Sequence, residues 1–275
     1  MRNPNSIKIA LGSDLHLGTR DSARRRRALA FSEEADVIVL AGDLGVGMHA
    51  ASVVWEVAES FPSAQIVWVA GNHEFYGHHI DQQVQRYRDA CEGDDRIRFL
   101  ENDSVEIQGF TFLGSTLWTD FSILGEPELA MSEAGRMIND FVCIEMGAGA
   151  LITPSYIANK FKASYAFLDE NLANSDPDRT IVVSHFPPGL ETRNPNFGLG
   201  PLTAYFQANV EYLLECYQPA LWIYGHNHYS RDFIKELTRV VSSQLGYPSE
   251  DGRIPQYDPK KLVLLSAGGL HDAGE

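Results

Sequence analysis

The sequence predicts an α/β protein whose strands deliver polar side chains to one edge of a sheet. Three observations lead there. Five short apolar runs, over 7–13, 37–41, 66–70, 180–184 and 221–224, each stop abruptly at a turn. Past each stop stands a carboxylate, an amide or an imidazole: Asp14 and His16, Asp43, Asn72 and His73, His185, then His226 and His228. Stretches of helical pattern separate the first runs, which gives β-α-β-α-β-α with right-handed crossovers expected. An unbroken apolar run of this length reads as a parallel strand buried on both faces, and ligands of open α/β sheets sit past the carboxyl ends of such strands.

Taken in order, strand 7–12 leads to Asp14 and His16, and 19–34 reads as a helix. Its run Arg24-Arg25-Arg26-Arg27 invites a nucleic-acid reading, but four arginines before Ala28-Leu29-Ala30-Phe31 fit the solvated start of an amphipathic helix better. Strand 37–41 follows, then a helix over 48–60 closed by Phe61-Pro62. After Glu74 the pattern gives a helix over 78–92, a short strand over 96–101 and a hairpin over 105–115 broken at Gly109. Residues 117–160 depart from the alternation, with aromatics, acids, a Gly147-Ala148-Gly149 run and no clear strand. They are expected to form a mostly helical, cap-like insertion over the strand ends. A helix over 154–171 returns to strand 180–184, and Pro187-Pro188-Gly189 turns the chain into a polar loop over 191–200. Residues 202–216 read as helical, 233–242 as a second hairpin and 261–266 as a closing strand.

Composition narrows the function classes. With 275 residues and 44% hydrophobic content, the chain can bury a large core, and one domain over 1–275 is expected. A net charge of −15 argues against a broad basic face for long nucleic acid or an anionic membrane. Cys91, Cys143 and Cys216 lie far apart and form no metal-type pair, which suits free thiols in a reducing compartment. No apolar run approaches the roughly 20 residues that span a bilayer, and the first residues carry no signal-peptide pattern. A cytoplasmic protein without a membrane segment is the expectation, its oligomeric state left open.

The donor types point to metal chemistry. Singly, a strand-end Asp is more often a helix cap and a lone His more often a satisfied loop residue. Repetition at successive strand ends is what a purely structural role does not require. Asp14 and His16, like His226 and His228, are two apart, and in extended backbone such residues project to one side, so each pair can close on one ion. Asp43 stands between the pairs in sequence as a natural bridge, because one carboxylate oxygen can serve two cations where an imidazole cannot. Asn72 adds an oxygen and His185 a nitrogen. Mixed nitrogen and oxygen donors without thiolate suit manganese, taken first, or iron, zinc or cobalt. Two such ions form the clamp used for in-line displacement at phosphorus. Two divalent cations, less Asp14, Asp43 and one hydroxide, leave about +1 to meet an anionic ester.

The blocks Gly12-Ser13-Asp14-Leu15-His16, Gly42-Asp43, Gly71-Asn72-His73-Glu74, Ser184-His185 and Gly225-His226-Asn227-His228 resemble, in order and spacing, those of the calcineurin-like metallophosphoesterases. The resemblance implies a four-layer αββα sandwich, two mixed β-sheets flanked by helices, with a dinuclear site at the strand ends. Carried over position by position, it gives one metal Asp14, His16, Asp43 and His228, and the other Asp43, Asn72, His185 and His226. His73 corresponds to the family's histidine that supports phosphate or protonates the leaving oxygen, and an imidazole suits that task near neutral pH. A metal-bound hydroxide would then attack phosphorus in line. Where the protein phosphatase branch has Asp-Arg-Gly after the bridging Asp, Asp43 is followed by Leu44-Gly45-Val46-Gly47, so a phosphoprotein substrate held in that way is not expected. Arg193 or Asn194 could supply the phosphate contact instead. Segments 116–121 and 137–141 look like those of a bacterial branch of the family and are expected to shape the pocket wall, with Trp118 and Asp120 as candidate substrate contacts.

The leading expectation is a metal-dependent phosphoesterase acting on a phosphomonoester or a small phosphodiester. A nuclease or cyclic-nucleotide phosphodiesterase on the same scaffold is the alternative. A non-catalytic binding scaffold is a third class, disfavoured because every ligand position is filled.

Overall fold

The computed structural model describes residues 5–18, 22–250 and 257–267. The chain opens with strand β1 (Ser6–Gly12), helix α1 (Ser22–Ala28), β2 (Val37–Ala41), α2 (Met48–Ser60), β3 (Gln65–Val69), α3 (Ile80–Cys91) and β4 (Ile97–Phe99). A tight hairpin follows, β5 (Asp103–Ile107) and β6 (Phe110–Ser115). Its two turn residues, Gln108 and Gly109, both have positive φ, 52° and 78°, the twist that suits a two-residue hairpin loop. The insertion gives α4 (Pro127–Met137), α5 (Asp140–Cys143), β7 (Glu145–Gly147) and β8 (Ala150–Leu151) before α6 (Pro154–Ala173). The remainder supplies β9 (Thr180–Ser184), α7 (Glu211–Tyr217), β10 (Leu221–Ile223), β11 (Asp232–Lys235), β12 (Thr238–Val241) and β13 (Leu262–Ser266).

Two mixed sheets result, with strand orders β13-β1-β2-β3-β4 and β11-β12-β10-β9-β6-β5. Strands β1 to β4 are parallel, with β13 antiparallel at the edge; in the second sheet β12, β10, β9 and β6 are parallel, with β11 and β5 antiparallel at the edges. The period-two alternation of the strands sorts the side chains into layers. Val37, Val39, Val67, Val69, Ile181, Val183, Leu221 and Ile223 meet between the sheets. The intervening Ile38, Leu40, Ile66, Trp68, Val182 and Trp222 join the outer core, with α2 and α3 over the first sheet and α6 and α7 over the second. The architecture is the expected αββα sandwich. Both faces of each central strand are apolar, which is why the runs read as unbroken.

Three expectations are corrected. The helix expected over 19–34 is the short α1, because the chain turns after Ala28 to bury Phe31 beside Phe61, and the Ala28 carbonyl accepts from the Tyr257 hydroxyl at 2.5 Å. Its arginines are not all solvated: Arg24 is buried and donates to the Gly246 carbonyl, and Arg25 pairs with Glu56. Residues 202–216 are helical only in α7 and in a 3-10 turn at Pro201–Ala204. The Thr119 hydroxyl lies 2.7 Å from the carbonyl of Ala204 and 2.9 Å from that of Gln207, engaging acceptors that a continuous helix would use. The insertion contains strands after all. β7 and β8 pair antiparallel around Gly147, Ala148 and Gly149, all at positive φ. Helix α6 starts as expected at Pro154, its amide end capped by Thr153, whose hydroxyl accepts from the Tyr156 amide. No helix among the described residues is long and apolar enough to cross a membrane.

Candidate metal centre

The strand ends place their polar side chains by turning sharply rather than by staying extended. Asp14, His16, Asp43, His226 and His228 all have left-handed backbone, with φ of 53°, 43°, 55°, 78° and 52°. The expectation that residues two apart converge through extended backbone is therefore corrected: each pair sits on a coiled turn. A non-glycine residue in this region costs about 1–3 kcal/mol, and such strain persists where surrounding contacts over-determine it. Here the loops brace one another. Asp14 N donates to Gly42 O and His16 N to Asp43 O, both at 2.9 Å. His226 N donates to the Asp14 carboxylate at 2.9 Å. Glu74, fully buried, accepts from the amides of Asp43, Leu44 and Gly71 at 2.7–2.9 Å, tying two strand ends together. Glycine is required at two approaches. A Cβ at Gly71 would collide with the Asp43 carboxylate, and one at Gly225 would lie 2.7 Å from Asp14 Oδ2.

The result brings the donors together in three groups, Asp14 with His16 and His228, Asp43 with His185 and His226, and a third, His16 with Asp43 and His73, that shares a member with each of the others. Within the first, His16 Nε2 and His228 Nε2 are 3.0 Å apart, and His228 Nε2 is 3.5 Å from Asp14 Oδ1. Within the second, His185 Nε2 is 3.5 Å from Asp43 Oδ1 and 3.1 Å from Asn72 Oδ1. Asp43 turns its other oxygen, Oδ2, toward His16 Nε2 at 3.8 Å. One carboxylate thus faces both of these groups.

Neighbouring hydrogen bonds fix which atom each donor presents. The Nδ1 of His185 lies 2.8 Å from the Ala41 carbonyl, so Nε2 is the ring atom turned toward the centre; burial is outweighed by Asp43, which raises the ring pKa to about 9, and a cation bound there would displace the Nε2 proton. The Nδ1 of His228 is held by Glu250 Oε2 at 2.7 Å. Asn72 Nδ2 donates to Asp140 Oδ1 at 3.0 Å, which turns the amide oxygen toward His185. Burial holds His16 and His226 well below the ordinary histidine range, His226 further depressed by His185, which keeps them in the neutral form that binds metal. Burial opposes ionisation of Asp43, but His185 and His73 outweigh it and hold the carboxyl well below its usual range. The residues fit a pair of divalent cations. His226 Nε2 is buried without a hydrogen-bond partner, and the two imidazole nitrogens of His16 and His228 converge where a positive charge would reconcile them.

Other expected site residues divide. His73 lies beside the first group, its amide donating to Asp43 Oδ1 at 3.0 Å and its Nε2 3.0 Å from the Tyr247 hydroxyl. Arg193 and Asn194 line the cavity that opens from the centre, and Asn194 Nδ2 donates to the Asn227 carbonyl at 3.1 Å. The assignment of Trp118 and Asp120 to the pocket wall is corrected, for neither lines that cavity. Trp118 is 1% exposed and packs against Phe75 and Phe186, while Asp120 spends its carboxylate on the amide and hydroxyl of Ser122. The other segment expected at the wall does line it, through Met137, Ile138, Asn139 and Asp140.

Two neighbours of the centre carried no signal in the sequence. Glu250 and Tyr247 lie beyond the last donor pair, on a segment anchored by Arg24 at Gly246, and the Tyr247 ring stacks on His16 at 4.3 Å. Asp140, a buried acid in the insertion, accepts from Asn72, Tyr76 and Tyr205, and burial still pushes its carboxyl upward. It belongs to the segment 137–141 expected at the pocket wall, but its tie to Asn72 carried no signal in the sequence.

A family model described as calcineurin-like phosphoesterase matches residues 7–230. "Uncharacterized protein L509" of Acanthamoeba polyphaga mimivirus is 27% identical over 267 residues, covering 89% of this chain and 93% of that protein. Among solved structures, phosphopantetheinyl hydrolase from Mycobacterium tuberculosis superimposes with a TM-score of 0.74 at 18% identity, covering 97% of this chain and 96% of that one. TT1561 of Thermus thermophilus gives a TM-score of 0.51 at 16% identity, covering 95% and 99%. Likenesses at this level of identity concern the fold.

Proposed function

Because the chain belongs to the calcineurin-like phosphoesterase family, we propose that it is a dinuclear metal-dependent hydrolase of a phosphomonoester or a small phosphodiester. The observation that carries this reading is Asp43, with Oδ1 3.5 Å from His185 Nε2 and Oδ2 3.8 Å from His16 Nε2, a carboxylate addressed to two donor groups at once. Asp14, His16, His228 and Asp43 would hold one cation, and Asp43, Asn72, His185 and His226 the other. Manganese is proposed first, with iron, zinc or cobalt compatible with the same nitrogen and oxygen donors. When bound, the pair supplies the acidity that makes water nucleophilic and the positive charge that offsets the phosphoryl oxygens.

The chain's own residues do the rest. Asp140 and Glu250 orient Asn72 and His228. His73 is held by its backbone bond to Asp43 and by Tyr247, facing the cavity, where it can give a proton to the departing alcohol oxygen. Arg193 lines the same cavity as the cation nearest in kind to a phosphate clamp. The test is hydrolysis of matched monoester and diester reporters after separate reconstitution with Mn, Zn and Co. Turnover that requires metal is expected, and its absence with every metal and every ester would overturn the reading.

A further inference from the structure

The cavity that opens from the metal centre is far larger than a phosphoryl group needs. Its volume is about 690 Å3, within the roughly 300–1,000 Å3 range of pockets that enclose drug-sized ligands. Its lining combines the polar donor end with a set of apolar side chains. At the metal end the wall is polar. Polar residues such as Arg193, Asn194 and Thr203 line it too, but an apolar set adjoins the donors through Phe206, whose ring lies 5.2 Å from that of His226, and includes Leu202, Pro201, Met137 and Ile138. These last four come from different parts of the chain, the end of α4 and the 3-10 turn at Pro201–Ala204, and the two elements pack together. At the mouth, Met137 and Phe197 are 64% and 69% exposed. Large apolar groups left open around a concave site mark where a partner covers them. A sugar phosphate could pair its hydroxyls with Asn194 or Thr203 but would leave Phe206, Leu202, Met137 and Ile138 unmatched, and inorganic phosphate would leave the cavity empty.

We propose that this cavity seats the alcohol moiety of the substrate, and that the substrate is a phosphate ester of an extended apolar or aromatic alcohol. The inference rests on the phosphoesterase reading of the metal centre and adds the class of leaving group. The occupant must be continuous with the scissile ester, because the apolar wall starts at the ring of a candidate ligand, leaving no gap between the two subsites.

The test is a series of 4-alkylphenyl phosphates, from phenyl through ethyl and butyl to hexyl, whose leaving-group acidity is nearly constant. With the Mn-reconstituted protein, kcat/KM is expected to rise roughly two- to fourfold for each methylene that enters the cavity. In Met137→Ala and Leu202→Ala, the ratio of hexyl to phenyl rates is expected to fall by about tenfold when both are combined. Because the readout is a ratio within each variant, a loss of folded protein cancels. Robust turnover of phenyl phosphate with no dependence on chain length would overturn this inference while leaving the phosphoesterase reading intact, as would a length dependence that both substitutions leave unchanged. No turnover of any ester with any metal would overturn both.

Discussion

The carboxylate of Glu250 lies 2.7 Å from Nδ1 of His228, and the opposite ring nitrogen lies 3.0 Å from His16 Nε2. This pairing fixes the tautomer and the ring plane of a candidate ligand from a segment that lies beyond the family-matched region, residues 7–230. Burial alone would discharge His228, but the hydrogen bond to Glu250, with Asp14 and Asp43, reverses that and raises its pKa.

Glu250→Gln is expected to weaken metal binding by roughly 10- to 100-fold, the usual effect of removing a carboxylate behind a ligating histidine. Titration of the metal-free protein with Mn, followed by calorimetry, measures it. An unchanged affinity would leave Glu250 a loop contact only.

Asp140 joins the insertion to the centre through Asn72. Asp140→Ala leaves the hydroxyls of Tyr76 and Tyr205 and the Asn72 amide without their acceptor. A loss of roughly 3 kcal/mol in unfolding free energy is expected, together with weaker metal binding. Asn72→Ala in that background should cost less metal affinity than in the native chain, since the two act as a unit. Additive effects in the double-mutant cycle would count against the coupling.

His73→Ala is expected to slow hydrolysis of esters with poor leaving groups by roughly 100-fold or more and to spare those with good ones. A plot of rate against leaving-group acidity distinguishes the two cases. Equal slowing across the series would assign His73 to phosphate binding instead.

Chelation should separate folding from the site. The two apolar cores do not involve the donor atoms, so the metal-free chain is expected to stay folded. Its melting temperature should rise on adding Mn, with about 4 kcal/mol gained at a concentration 1,000-fold above the dissociation constant. A melt insensitive to Mn and to Zn would deny the cluster a metal.

Away from the centre, Asp232 is gripped by Arg239 and Lys261, each at 2.8 Å. Burial works against its ionisation, but these cations win and hold its carboxyl below the ordinary 3.8. A depressed carboxyl stabilises the fold above its unfolded pKa, and that contribution is lost as pH falls through the folded value. The stability difference between the native chain and Asp232→Asn should therefore be about 1 kcal/mol near neutrality and shrink on acidification below the ordinary value. Urea unfolding at several pH values reads it out.

The sequence by itself determined the strands and the polar residues at their ends. Runs such as Val37 to Ala41 are apolar at every position because both strand faces are buried, and a turn after each forces the next polar residue to the sheet edge. Helices α2 and α6 were legible from local pattern, Phe61-Pro62 closing one and Pro154 standing at the start of the other. What only the tertiary structure decided depends on groups far apart in the chain. The Thr119 hydroxyl engages carbonyls near residue 204, so a helical pattern there stays broken. Trp118 falls into the core because Phe75 and Phe186 meet it there, although its own segment looks like a pocket wall. The left-handed turns at Asp14, Asp43 and His226 exist because backbone bonds between loops hold them, and no local preference of Asp or His would predict them all. Periodicity reports which face of an element is dry; it carries no record of which distant atom will arrive to orient a side chain, and so the grip of Asp140 on Asn72 and of Glu250 on His228 became visible only once the chain had folded around them.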